Sequence, residues 1–231
     1  MVWLPILRSR GRTFSEELAQ TFPTAHDRRR DMLELLDKEW SECQRCPLGQ
    51  TARHHCLYDR VPDQPFTKAD LMVVGEGPGE AEDTLGKPFK GPSGRLLRET
   101  LLQARAQVFD TEVATVLTNL VACRPFRLSG HRRENREPSV GETQACSQRL
   151  KELLGIFRPT MVVAVGKVAD TSLGWIGGML EEFRYEGDYC TTYHPAYVLR
   201  KRQIDQNIED VYVRQWIAVF ERMKRFKEDQ Q

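Results

Sequence analysis

No stretch of this chain approaches the ~20 consecutive apolar residues that a membrane-spanning helix needs, so no membrane segment is expected. The first dozen residues, Met1 to Arg12, carry a short apolar patch and several arginines. They lack a long apolar run and a small-residue cleavage site, so no secretory leader is expected either. A large charge of one sign is also missing. Lysine and arginine number 34 against 33 aspartates and glutamates, a net charge of +1, which excludes the strongly basic histone-like class. It does not exclude a local basic face that binds nucleic acid. Internal repeats and low-complexity tracts are absent, which argues against solenoids and disordered arms.

What remains is an ordinary globular balance, 40% hydrophobic and 29% charged over 231 residues, enough for one domain with a sizeable core and an extension. Basic residues cluster at Arg28-Arg29-Arg30, from Arg124 to Arg136, and at Arg200-Lys201-Arg202. Any one such cluster reads as solvated surface, but three clusters beside candidate site motifs are less easily dismissed.

Residues 1–40 read as an N-terminal helical extension and 41–231 as the main domain. Thr13-Phe14-Ser15-Glu16-Glu17 suits a helix start, and Leu33, Leu35 and Leu36 suggest a helix running to about Trp40. Cys43 to Phe66 reads as irregular structure pinned by something. Beyond it, strands and helices alternate. Strands are expected at Leu71–Val74, Val113–Val121, Met161–Val165 and Tyr189–Tyr193. Helices are expected at Ser93–Ala106, Ser139–Phe157, from Lys167, and along an apolar stripe from Ile208 to Met223. This alternation predicts an α/β fold with a parallel sheet covered on both faces. Ligand sites in such sheets form at the carboxyl ends of the strands, where Gly75–Asp83, Asn119–Pro125 and His194 all fall.

Each motif has a chemistry and a plainer reading. Gly75-Glu76-Gly77-Pro78-Gly79-Glu80 fits close backbone approach to a ligand, and equally a simple strand-to-helix turn; Glu80 breaks a dinucleotide fingerprint and no Gly-Lys-Ser/Thr follows. Phe89, on a loop crowded with glycine and proline, can stack on a flat ligand such as a base, or fold onto the core. The Asn119 amide can pair with the O4 and N3–H edge of a uracil-like ring, or cap a turn. His194, held before Pro195, can donate to an oxygen gaining negative charge, or be satisfied by backbone.

Six cysteines without a leader point to metal or redox chemistry rather than a disulfide framework. Cys43-x2-Cys46 is a ligand pair; Cys123 follows after 76 intervening residues and Cys146 after 22 more. Four thiolates can hold a [4Fe–4S] cluster or a zinc ion, and Cys56 and Cys190 read as ordinary buried thiols.

Together the motifs resemble the family 4 uracil-DNA glycosylases, the iron–sulfur group of that superfamily. The likeness runs from about Cys43 to Arg200 and comprises, in order, C-x2-C-P-L, G-E-G-P-G-x-x-E-D, G-x-P-F-x-G-x-x-G-x-L-L, T-N-x-V-x-C-R-P, N-R-x-P with a following Cys, and Y-H-P-A-x-x-L-R. The resemblance implies a three-layer α/β/α fold with a four-stranded parallel sheet. It implies a structural [4Fe–4S] cluster on Cys43, Cys46, Cys123 and Cys146. It also implies a monomeric repair enzyme that extrudes uracil from single- or double-stranded DNA and hydrolyses the glycosidic bond, leaving an abasic site. Glu76, Asn119 and His194 are then the catalytic candidates. Gly77, Glu80 and Phe89 join Asn119 and His194 around the base, with Phe89 stacking and His194 facing uracil O2. Where a better-known branch has an Asp to orient the water, this chain has Gly77, which leaves Glu76 and Asn119 for that role. Ser93, Arg124, His131, Arg132, Arg133 and Arg200 are the expected DNA contacts. A cytoplasmic, nucleoid-associated setting in a prokaryote-like cell follows from the same likeness.

The insert Phe126–Glu134 departs from the family 4 pattern. Cross-linking family X glycosylases carry a basic, His-containing insert here, but with the histidine after the arginines, whereas His131 precedes Arg132 and Arg133. His131 is therefore read as contacting phosphate, or nothing, rather than as a cross-linking residue. Two rival readings stand beside hydrolysis: uracil-DNA binding or cross-linking without turnover, and action on a 5-substituted uracil.

Overall fold

The computed structural model describes residues 24–173 and 187–230. The expected helix start at Thr13–Glu17 lies outside them. Helix α1 (Ala25–Trp40) opens at Thr24, whose hydroxyl accepts the Asp27 N–H while the Asp27 carboxylate accepts the Thr24 N–H. Leu33, Leu36 and Trp40 form its buried stripe, and Leu35 faces solvent. The Trp40 indole N–H donates to Glu152 at 2.7 Å. Residues 25–40 thus share the core of the main domain.

The segment read as irregular contains a short helix, α2 (Pro47–Thr51), and a three-residue strand, β1 (Asp59–Val61). Then follow β2 (Leu71–Gly75), α3 (Glu80–Leu85), α4 (Pro92–Arg105) and β3 (Thr115–Asn119). The insert forms a hairpin, β4 (Phe126–Ser129) and β5 (Arg132–Asn135), turning on Gly130-His131. Helix α5 (Val140–Phe157), capped by Ser139, leads to β6 (Met161–Val165), and a helical stretch begins at 167. Strand β7 (Asp188–Thr192), α6 (Pro195–Lys201) and α7 (Ile208–Asp229) complete the described chain. No helix among the described residues is long and apolar enough to cross a membrane.

The sheet order is β1-β3-β2-β6-β7. The four strands expected from sequence run parallel, and β1 adds an antiparallel edge against β3. Strand side chains alternate between the two faces. Leu71 and Val73 join Leu97, Leu101, Trp216 and Phe220 under α4 and α7, while Met72 and Val74 join Trp40, Leu150 and Phe157 under α1 and α5. This is the three-layer arrangement. From β2 the chain passes to β3 on one side and later to β6 on the other, so a crevice opens beyond the carboxyl end of β2.

Strand β1 escaped the sequence reading because it is short and polar, and its aspartate has a specific task. Asp59 is buried and accepts from Arg98 at 2.6 Å, with Lys90 at 2.7 Å and Lys87 at 3.4 Å. Burial alone would raise its carboxyl, but hydrogen bonding and attraction from Lys90 and Arg98 outweigh burial and hold it below the ordinary carboxylate range. Its stabilisation is present above the unfolded-state pKa and is lost as pH falls through the folded one. Asp59→Ala leaves the cations around a buried site without their anion. It should cost about 3–5 kcal/mol in denaturant unfolding at pH 7, with the gap to wild type closing in acid. A gap that stays constant with pH would contradict this account.

Candidate functional site

The crevice is a cleft of about 720 Å³ lined by three loop regions from strand ends. Gly77, Gly79 and Glu80 come from the end of β2; Asn119 closes β3; His194 follows β7. Phe89 and Ser93 enter from the loop leading into α4 and its first turn. Of the sequence-predicted base-site residues, the structure brings Gly77, Glu80, Phe89, Asn119 and His194 to one cleft.

Their placement rests on the parallel register Gly75↔Asn119. A Cβ built on Gly75 would lie 2.4 Å from the Asn119 Oδ1 and 2.6 Å from the Phe89 Cζ. The amide and the ring edge therefore occupy the space that any other residue would fill. Phe89 has φ +55°, in the left-handed region that side chains disfavour. Arg98 holds it there by donating to the Phe89 and Pro88 carbonyls, at 3.0 and 3.2 Å, while pairing with Asp59.

A second anchor, Glu82, was not singled out from sequence. Its buried carboxylate accepts the Gly79 N–H at 3.1 Å and the Lys90 and Gly91 N–H groups at 2.9 and 2.7 Å. It thereby ties the glycine loop to the Phe89 loop. Its signal was the acid three residues after Gly79, at the start of α3. Asn135, at the base of the hairpin, also lines the cleft and was missed. Its amide Nδ2 sits 3.3 Å from where a Gly79 Cβ would be.

His194 Nδ1 accepts the Ala196 N–H at 3.1 Å, so the proton of the neutral ring sits on Nε2. Burial, with a smaller contribution from Arg200, pushes the imidazole down to about 4. At neutral pH the ring is thus an uncharged hydrogen-bond donor. Gly166, at φ +89°, lies beneath it; a Cβ there would meet the His194 Cβ at 2.7 Å. Glu76 is half-buried, one residue before Gly77, and does not line the cleft. Burial and then the nearby Glu137 raise its carboxyl to about 7.

The expected DNA contacts divide. Ser93 lines the cleft. Arg124 is buried and turned inward, donating to Asn135 at 2.8 Å and to the Arg133 carbonyl at 3.0 Å, with Glu80 at 3.8 Å. It fixes the hairpin to the cleft wall. His131 and Arg132 are exposed on the hairpin. Arg133, also exposed, lies 4.4 Å over the Phe126 ring. Arg200 is exposed on α6.

On the α1/α5 side of the sheet, Cys43, Cys46, Cys123 and Cys146 line one small cavity together with Trp40, His55 and Leu48. Burial first, then the other three thiols and Cys56, raise the Cys123 thiol. Among the described residues no group of three or more His, Cys, Asp or Glu is disposed to hold a metal ion as it stands. Cys56 lies apart from the four, its thiol directed at the Glu82 carbonyl, and burial pushes it up to about 12.

A parallel sheet between two helical layers, with a cleft at its switch point lined by an amide, an aromatic ring and an imidazole, defines a three-layer α/β protein with a ligand cleft. The sequence model of the uracil DNA glycosylase superfamily matches residues 62–217, and the chain belongs to that superfamily. It is 34% identical to the type-4 uracil-DNA glycosylase of Pyrobaculum aerophilum over 73% of this chain and 85% of that one. It is 32% identical to that of Saccharolobus solfataricus, over 78% and 83%. The one from Thermotoga maritima is 30% identical, over 75% and 86%. Among solved structures, Pedobacter heparinus SMUG2 superposes with a TM-score of 0.54 at 12% identity, covering 68% of this chain and 77% of that one, which supports the fold.

Gly75→Ala tests the packing directly. The added methyl should displace the Asn119 amide and the Phe89 ring and cost about 1–3 kcal/mol, seen as a lower denaturation midpoint. An unchanged midpoint would mean that those groups do not occupy the space beside Gly75.

Proposed function

We propose that this protein is a uracil-DNA glycosylase. It hydrolyses the N-glycosidic bond of uracil in DNA and leaves an abasic site. The convergence of Phe89, Asn119 and His194 on one cleft carries this reading.

The glycosidic carbon is shielded in a stacked duplex, so the nucleotide swings out into the cleft. Phe89 stacks on the ring, and the Asn119 amide accepts from N3–H and donates to O4. Cytosine presents the opposite pattern and is rejected by the groups it leaves unpaired. As the C1′–N1 bond breaks, its electron pair stays on the base, and the charge spreads to O2. His194 Nε2–H donates to that oxygen without surrendering its proton, a contact that strengthens as the charge grows. Water then bonds to the electrophilic C1′, and its proton balances the base anion. Orienting that water is assigned to Glu76 or Asn119: Asn119 lines the cleft, and Glu76, one residue before the lining Gly77, acts only as the carboxylate.

We assign a structural [4Fe–4S] cluster to Cys43, Cys46, Cys123 and Cys146. Four thiols around one cavity are the donor set that such a cluster takes. The cluster supplies cross-linking there, pinning the α1–α2 connection and the segment after β3 to α5. Iron and sulfide content with broad visible absorption supports this; zinc without colour overturns it.

DNA contact is assigned to Ser93 at the cleft, Arg200 on α6, and the exposed His131, Arg132 and Arg133 of the hairpin, with the protein acting as a monomer. Arg132→Ala should weaken binding evenly across sequences and reduce the slope of log K against log salt by about 1.

The decisive assay is conversion of a uracil oligonucleotide to an abasic product with multiple turnovers. His194→Ala and Asn119→Ala should each lower kcat by about 100–1,000-fold. An intact oligonucleotide after incubation with cluster-loaded wild type would overturn the reading. The pH profile separates the two titrating groups. If Glu76 orients water, activity rises as pH passes about 7, and Glu76→Gln removes that step. His194 contributes no step between pH 5 and 8, because its ring is already neutral there.

A further inference from the structure

Arg149 is fully buried, and among the described residues no carboxylate lies within ion-pair distance of it. A buried guanidinium without an anion is costly, and it persists only where other groups satisfy it. Its donors divide between two directions. Nε points at the Cys146 Sγ, 3.4 Å away and one turn earlier on α5. Nη1 donates to the Leu57 carbonyl at 2.7 Å and to the Thr118 hydroxyl at 2.9 Å. Nη2 donates to the Asn119 carbonyl and, more loosely, to that of Leu120 at 3.4 Å. On the far side of the same peptide units, the Leu120 and Val121 N–H groups donate to the Gly75 and Glu76 carbonyls at 2.9 and 3.4 Å.

We propose that Arg149 is a positioning residue that ties the four-thiol site to the end of β3, fixing Asn119 from behind. This rests on the function proposed above for Asn119 and the thiols. The guanidinium is a buried cation that faces a cysteine sulfur, and its planar fork spans from Cys146 to the backbone of Asn119. The thiol site thereby acts on the cleft through one side chain, although no thiol lines the cleft. The same fork reaches the glycine loop through the Leu120 and Val121 amides. Cluster and pocket are coupled by this contact rather than merely housed in one domain.

The test is amide hydrogen exchange on the cluster-loaded protein without DNA, comparing wild type with Arg149→Met and Arg149→Lys. Loss of roughly one net hydrogen bond at the strand end should speed exchange at Leu120 and Val121 about tenfold. Both variants should show it, because an ammonium cannot span both directions. Arg149→Met should also lose the visible absorption faster on exposure to a chelator than wild type, and Arg149→Lys, which keeps the charge, should slow that loss toward the wild-type rate. In turnover, both should lose kcat/KM on a uracil oligonucleotide, with Lys partly restoring colour but not activity. Exchange at Leu120 and Val121 that stays within about twofold of wild type in a folded variant overturns the proposal. If Arg149→Met does not fold, Arg149→Lys carries the same criterion. Because exchange is read without substrate, a wild type inactive on uracil would overturn the glycosylase reading and leave this one standing.

Discussion

The space beside Gly75, one methyl group in size, is where the site is assembled. Three motifs separated in sequence meet there: the strand end that carries the glycine, the amide of Asn119 from the neighbouring strand, and the ring of Phe89 from a loop. Parallel pairing sets Gly75 opposite Asn119, and the absence of a side chain lets the amide and ring close over it. A protein interior is packed too densely to yield a methyl's worth of space cheaply. The glycine is therefore a requirement of the pocket's shape and not only of a turn.

Loops built on glycine and proline would wander unless held, and two buried carboxylates hold them. Glu82 takes three backbone N–H groups from two loops. Asp59, on the edge strand, gathers Lys87, Lys90 and Arg98, and Arg98 in turn fixes the carbonyls beside the strained Phe89. Charges that would be costly if unpaired become organising centres because each meets three donors. The strain at Phe89 is sustained by this network, which keeps the ring in place at the cleft.

The electrostatics of the two faces of the sheet differ in kind. At the cleft, burial keeps His194 uncharged and a backbone N–H fixes its tautomer, so the ring is a preset neutral hydrogen-bond donor. Behind the sheet, four thiols surround one cavity and the buried Arg149 guanidinium faces one of them. Arg149 belongs to both faces, since its other donors reach the main chain at Asn119.

The sequence by itself determined the alternation of strands and helices, the four parallel strands and the positions of the cleft motifs, because apolar periodicity and strand-end glycines are local signals. The membership of the glycine loop, Asn119 and His194 in one site was legible as a convergence of strand tips, whereas Phe89 joined them only through the family resemblance. The fold supplied what depends on partners distant in the chain. A polar three-residue strand gives no periodic signal, so β1 came from its pairing with β3 and from Asp59's cations. Arg124 read as a surface cation within a basic cluster, yet it is buried against Asn135 and the Arg133 carbonyl, because the hairpin folds back over it. Arg149 carries no signal in the sequence that sets it apart from the other charges of its helix. Only tertiary structure decided that it lies in the core, since a buried ion is tolerated only where several separate segments bring carbonyls and a sulfur to the same point, and no local pattern records that meeting.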